Sequence, residues 1–142
     1  LSPAEYRKSN GWVYGHKDMD QLEDCLKRAN EKGFAKKMII TDGVFSMDGD
    51  TPNLEDLVRV SDQYNCYLVI DEAHALGVFG SPEASGGEGL VQMLGLQDHF
   101  FARIMTFGKG LGCHGAAILG SLELKQYLVI LVLRILKLKF PK

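Results

Sequence analysis

Tyr67-Leu68-Val69-Ile70-Asp71-Glu72-Ala73-His74 is an apolar run that stops abruptly at two carboxylates and a histidine. A short uninterrupted run of this kind reads as a buried strand with a polar carboxyl end. The segment before it reads as a helix. Asn53 and Asp56 form a capping pattern, and Leu54, Leu57, Val58 and Ser61 continue one face as far as Tyr64, with Asn65 as the stop. Upstream again, Met38-Ile39-Ile40-Thr41 is a second apolar run, closed by Asp42-Gly43. Strand, helix, strand in this order is a crossover unit and implies parallel pairing with a right-handed connection.

Further outward, Met19, Leu22, Cys25, Leu26 and Ala29 recur at helical spacing between a candidate N-cap, Asp18, and a candidate stop, Gly33. Residues 1–17 mix Pro3, Gly11 and Gly15 with Trp12 and Tyr14, and read as a short strand or an extended lead-in. Downstream, residues 80–89 are a glycine-rich connection, either a plain exposed loop or a lid. Leu90 to Leu96 suggest a short helical turn, Phe100 to Phe107 a third strand, and Ala116 to Leu119 a further one. The expected fold class is α/β, a mostly parallel sheet flanked by helices.

The chain has 142 residues, 46% of them apolar and 24% charged, which suits one folded domain and argues against disorder. A net charge of −2 leaves no electrostatic footprint for nucleic acid. Cys25, Cys66 and Cys113 are far apart and form no Cys-x-x-Cys pair, so neither a disulfide framework nor a zinc site is indicated. A reduced, cytoplasmic compartment is the expectation. The opening Leu1-Ser2-Pro3-Ala4-Glu5 lacks both Met and a charged-then-apolar leader, as expected of a sequence without a signal peptide or its natural start.

In open sheets of this type ligands bind beyond the carboxyl ends of the strands. Ser46, Asp71, His74 and Lys109 each follow the end of an expected strand, so one edge of the sheet gathers them. Lys109 is flanked by Gly108, Gly110 and Gly112, which let the backbone fold tightly about a single ammonium. Gly110 occupies the position where a phosphate-binding P-loop carries Ser or Thr, which disfavours nucleotide cradling. A solvated turn lysine and a Schiff-base lysine both remain. Chemistry with an aldehyde cofactor needs that lysine together with a carboxylate opposite a pyridine nitrogen, and Asp71 fits the second role. His74 offers a hydrogen bond to the cofactor ring or its phenolic oxygen, and Thr106 a hydroxyl for a phosphate oxygen. Each also has an ordinary structural reading: a turn Asp, a turn Ser at Ser46, a β-favouring Thr, a structural His.

Three motifs taken together go further. Thr41-Asp42-Gly43-Val44-Phe45-Ser46-Met47-Asp48-Gly49-Asp50, Val69-Ile70-Asp71-Glu72-Ala73-His74-Ala75-Leu76-Gly77 and Thr106-Phe107-Gly108-Lys109-Gly110 resemble, in the same order, the α-oxoamine synthases. These are fold-type I pyridoxal-phosphate enzymes, and the resemblance runs from about Gly11 to Val129. It implies pyridoxal 5'-phosphate as cofactor and Lys109 as the catalytic lysine that holds it and moves the α-proton. By the same resemblance Asp71 pairs with the pyridine nitrogen, His74 and Ser46 lie near the phenolic oxygen, and Thr106 binds the phosphate.

The implied reaction is a decarboxylating condensation of an amino acid with an acyl-CoA or acyl-carrier-protein thioester. Alanine with a pimeloyl thioester, as in biotin synthesis, is favoured, and glycine with acetyl-CoA is the alternative. The resemblance further implies a homodimer with a shared active site, and neither nucleic acid nor membrane as partner. Such enzymes are longer than this chain, so residues 1–129 are expected to form a partial cofactor-binding large domain. Residues 130–142 are expected to be a divergent apolar and basic tail, as from a truncation or frameshift. A non-catalytic fragment that at most binds cofactor or a partner subunit is the competing expectation.

Overall fold

The computed structural model describes residues 11–83 and 86–135, with side chains to residue 132. Its elements, in chain order, are helix α1 (Met19–Glu31), strand β1 (Lys37–Asp42), helix α2 (Leu54–Tyr64) and strand β2 (Cys66–Asp71). There follow the short helix α3 (Leu90–Met93), a 3-10 turn (Gln97–His99), strands β3 (Ala102–Thr106) and β4 (Ala116–Gly120), and helix α4 (Leu122–Ile135).

The helix ends are set by local chemistry. Asp18 caps α1 by accepting from Gln21 N at 2.9 Å. At the other end Gly33, at φ +76°, ends the helix as Gly33 N and Phe34 N donate to Asn30 O and Ala29 O. Asn53 caps α2 through Asp56 N at 3.2 Å, and Asn65 closes it in the left-handed conformation at φ +51°.

The four strands form one sheet in the order β1-β2-β3-β4. β1 pairs with β2 in parallel, Lys37 opposite Cys66 through Asp42 opposite Asp71, and β2 with β3 in parallel, Asp71 opposite Ile104. β4 returns antiparallel, Thr106 opposite Ala116. A parallel return needs a connection of about a dozen residues or more, and the stretch 107–115 is too short to supply one. Lys109 therefore sits in a hairpin loop.

On one face Ile39, Leu68 and Ile70 are buried under Leu22 and Leu26 of α1 and Leu54, Leu57 and Val58 of α2, and this is the core. On the other face Met38, Ile40 and Tyr67 are 50%, 64% and 47% exposed, so β1 and the start of β2 are covered on one side where burial on both was expected. Sequence hydrophobicity records what can be buried, whereas exposure here follows from which face the described helices cover. The third strand is shorter than expected, since Phe100 and Phe101 precede the ladder and Phe107 leaves it.

Residues 11–17 contain no strand, and residues 1–10 of the expected lead-in lie outside the described residues. Trp12 instead packs edge-on to Phe34 at 5.6 Å. Helix α4 follows Ser121, whose Oγ accepts from Leu124 N at 3.2 Å, and it crosses residues 129 and 130 without a break. Leu122, Tyr127, Val129, Ile130 and Val132 on it are exposed. The expected tail beyond residue 135 lies outside the described residues. Among the described residues no helix is long and apolar enough to cross a membrane.

Candidate active site

β2 ends at Asp71 and β3 at Thr106, and the ladder register puts both on the sheet face opposite the helical core. Asp71 Oδ1 accepts from Ala73 N at 2.8 Å, which starts the turn that carries His74. Ala75 N and Leu76 N donate to Glu72 O at 3.0 and 2.9 Å and complete it. Beyond β3, Phe107 N donates to Gly115 O at 3.0 Å and Cys113 N to Phe107 O at 2.9 Å, folding the hairpin loop back on itself. The result is that Lys109 Nζ reaches His74 Nε2 at 2.8 Å.

Lys109 and His74 are both exposed, and Asp71 is half-buried. Thr106 Oγ1 is buried with no hydrogen-bond partner among the described residues. An unsatisfied buried hydroxyl costs about 1–3 kcal/mol, so this atom is suited to a ligand oxygen. A primary amine, a carboxylate with one oxygen outside the described hydrogen bonds and an unpaired hydroxyl form a donor set that fits an aldehyde cofactor bearing a phosphate and a basic ring nitrogen.

Four of the five expected residues thus come from the carboxyl ends of two adjacent strands. Ser46 follows the third, β1, in the exposed turn closed by Gly49 N to Phe45 O at 2.7 Å. Its hydroxyl bonds to none of the other four among the described residues. That turn is tied instead toward His16, whose ring packs on Phe45 at 4.3 Å and whose Nε2 lies 3.0 Å from Asp50 Oδ2.

Beneath the site lies a buried ion pair, of which the sequence motifs contain only Glu72. Glu72 is 0% exposed and Arg103 6%. Arg103 Nε and Nη2 meet Glu72 Oε2 at 2.7 and 2.6 Å, and Glu72 Oε1 accepts from Val91 N at 3.0 Å. Arg103 Nη2 also donates to Glu88 O at 3.3 Å. The one available signal is an arginine inside an otherwise apolar strand, which needs a buried carboxylate as partner. The pair holds Glu88 of the glycine-rich connection and Val91 of α3, and Gly77 N and Gly89 N bind the connection further through Gly87 O and Phe79 O, both at 2.8 Å. These bonds make residues 86–89 a hydrogen-bonded loop that braces the turn after β2. Residues 84 and 85 of the connection lie outside the described residues.

Residues 1–136 match the family of class I and II aminotransferases. The chain belongs to that family. A protein of Bacillus cereus (strain Q1), provisionally named 8-amino-7-oxononanoate synthase, is 42% identical over 128 residues, 90% of this chain and 30% of the relative. The 8-amino-7-oxononanoate synthase of Citrifermentans bemidjiense is 42% identical over 116 residues, 82% of this chain and 28% of that enzyme.

Among solved structures, the 8-amino-7-oxononanoate synthase of Francisella tularensis superposes with a TM-score of 0.69 at 25% identity, over 88% of this chain and 33% of that one. A structure of SPT with its PLP internal aldimine gives a TM-score of 0.66 at 27% identity, over 78% and 26% of the two chains. The resemblance to α-oxoamine synthases therefore holds in sequence and in fold. The chain spans about 30% of the length of the curated relatives it matches.

Proposed function

We propose that this chain is the cofactor-binding part of a pyridoxal-phosphate-dependent acyltransferase that joins an amino acid to an acyl thioester with loss of carbon dioxide. The observation that carries the proposal is Lys109 Nζ at 2.8 Å from His74, on strand ends that also deliver Asp71 and the unpaired Thr106 hydroxyl. Bound pyridoxal phosphate supplies a conjugated, protonated ring nitrogen that draws electrons from the amino acid's α-carbon.

The protein's part is positioning and proton transfer. Lys109 Nζ would hold the cofactor and would take and return the α-proton. The Asp71 carboxylate would supply the opposite charge that keeps the ring nitrogen protonated. Thr106 Oγ1 would donate to a phosphate oxygen and so gain the partner it lacks among the described residues. His74 Nε2, 2.8 Å from Lys109 Nζ, would orient that amine. In the balanced reaction the α-carbon gives up its proton and bonds to the thioester carbonyl, the C–S bond breaks and the thiolate takes a proton from solvent, the carboxylate departs as carbon dioxide, and the first proton returns to the α-carbon.

Alanine and a pimeloyl thioester are the proposed substrates, supported by the two 8-amino-7-oxononanoate synthase relatives. A homodimer and a cytoplasmic setting belong to the same proposal. The coverage of about 30% and the exposed apolar sheet face favour a second reading, in which this chain binds cofactor or a partner subunit without turnover.

Release of carbon dioxide from carboxyl-labelled alanine, glycine or serine, each with pimeloyl-CoA or acetyl-CoA and saturating cofactor, separates the two. The proposal expects release with alanine and pimeloyl-CoA. Cofactor binding with no release from any pair assigns this chain to the second reading.

A further inference from the structure

Three backbone segments meet behind Lys109, and each meets the next at a glycine. Gly77, in the turn after β2, has φ +82°, and a Cβ there would lie 2.9 Å from the carbonyl carbon of Gly110 and 3.1 Å from its oxygen. A Cβ on Gly110 would in turn overlap Leu76 O. On its far side Gly77 N donates to Gly87 O at 2.8 Å, and a Cβ on Gly87 would stand 3.0 Å from the Gly77 α-carbon. Gly77 is therefore held between the braced connection and the loop that carries Lys109.

From this we infer that Gly77 is a positioning residue for Lys109. Its missing side chain lets the hairpin loop 107–115 seat against the turn 72–77, at the depth where Lys109 Nζ reaches His74. The consequence for chemistry rests on the cofactor reading above, while the positioning itself does not. The neighbours of the added Cβ are backbone atoms, which cannot rotate away as a flexible side chain would, so the loop must move. Behind Gly77 the brace cannot yield freely, because Glu88 O is held by Arg103 and Arg103 by Glu72.

Positive φ alone does not account for the arrangement. Gly33 has nearly the same conformation, φ +76°, yet nothing lies within 4 Å of a Cβ built there. Gly33→Ala thus carries the backbone strain of Gly77→Ala without the close approach, and serves as its control.

The test is amide hydrogen exchange at Gly112 and Cys113 in the cofactor-free chain, because their N–H groups bond to Lys109 O at 3.0 Å and Phe107 O at 2.9 Å. Gly77→Ala is expected to raise exchange at both amides by about tenfold or more, and Gly33→Ala to leave them unchanged while lowering the unfolding midpoint through backbone strain alone. If Gly77→Ala does not fold, Gly110→Ala, whose φ is not positive, is read in its place with the same expectation. Unchanged exchange at both amides in the glycine variant that folds, or an equal rise in Gly33→Ala, overturns the inference.

A second reading follows in the presence of pyridoxal phosphate. Borohydride-trapped label on Lys109 is expected to fall about tenfold in Gly77→Ala and to persist in Gly33→Ala. Should the parent chain take no label while the exchange contrast holds, Gly77 keeps its positioning role and the cofactor reading falls.

Discussion

Lys109 Nζ lies 2.8 Å from His74 Nε2, although the two residues are 35 positions apart in the chain. One belongs to a hairpin loop after β3 and the other to a turn after β2, so their contact reports how the two loops seat on each other. With Thr106 and Asp71 at the adjoining strand ends, it gathers an amine, an imidazole, a hydroxyl and a carboxylate on one edge of the sheet.

The unpaired Thr106 hydroxyl gives a prediction with opposite signs in two measurements. Thr106→Val removes a buried oxygen that has no partner, so the cofactor-free chain should keep or gain stability, by up to about 1–2 kcal/mol in denaturant unfolding. The same change should weaken pyridoxal phosphate at least tenfold, if the hydroxyl holds a phosphate oxygen. Unfolding at lower denaturant together with unchanged cofactor affinity would mean the hydroxyl serves the fold instead.

Breaking the Glu72–Arg103 pair should be far more costly than changing any exposed charge. Glu72→Gln or Arg103→Met alone strands a buried charge and should destabilise by about 3–5 kcal/mol. The double variant should lose less than the sum of the two, because neither charge is then left alone. Additive losses in denaturant unfolding would show that the two side chains act independently.

How much was legible from sequence divides along the range of the interactions. Asp18, Asn53, Gly33 and Asn65 could be read directly because capping is decided within a few residues of the helix end. Asp71, His74, Thr106 and Lys109 could be placed because a strand's end fixes where its next residues go. Ser46 could be placed only to the loop after β1, since nothing local dictates where an exposed turn points. Arg103 alone signals a buried carboxylate partner, but neither its pairing with Glu72 nor that of Gly77 with Gly110 can be read locally, because each partner is some thirty residues away. The exposure of Met38 and Ile40 is of the same kind: Lys-Met-Ile-Ile-Thr-Asp carries no alternation that says which face a helix covers.

The three cysteines should separate by rate of alkylation. Cys113 is exposed, Cys66 is half-buried and Cys25 is buried. Burial pushes the Cys66 thiol above its ordinary pKa, opposed in part by Lys37, so less reactive thiolate is present. Mass spectrometry after iodoacetamide at mildly alkaline pH should show Cys113 labelled first, then Cys66, with Cys25 last. Labelling of Cys66 ahead of Cys113 would contradict the described packing.

Acid should act on the Asp50 cluster in a defined direction. The Lys17 ammonium, 2.9 Å from Asp50 Oδ2, and then the His16 ring at 3.0 Å hold its carboxyl below the ordinary aspartate range. A carboxyl with a depressed folded pKa stabilises above its unfolded pKa, and that contribution is lost as pH falls through the folded value. The NMR titration midpoint of the Asp50 carboxyl should lie below that of an ordinary Asp and rise in Lys17→Ala. An unmoved midpoint in that variant would remove Lys17 as the cause.

Lys109 is the lysine proposed to hold pyridoxal phosphate. Borohydride reduction of the chain with pyridoxal phosphate, followed by peptide mass spectrometry, tests it most directly. Stoichiometric cofactor mass is expected on the peptide containing Lys109, and on no other lysine peptide at that level. Labelling spread over surface lysines, or retained in full by Lys109→Ala, would contradict it.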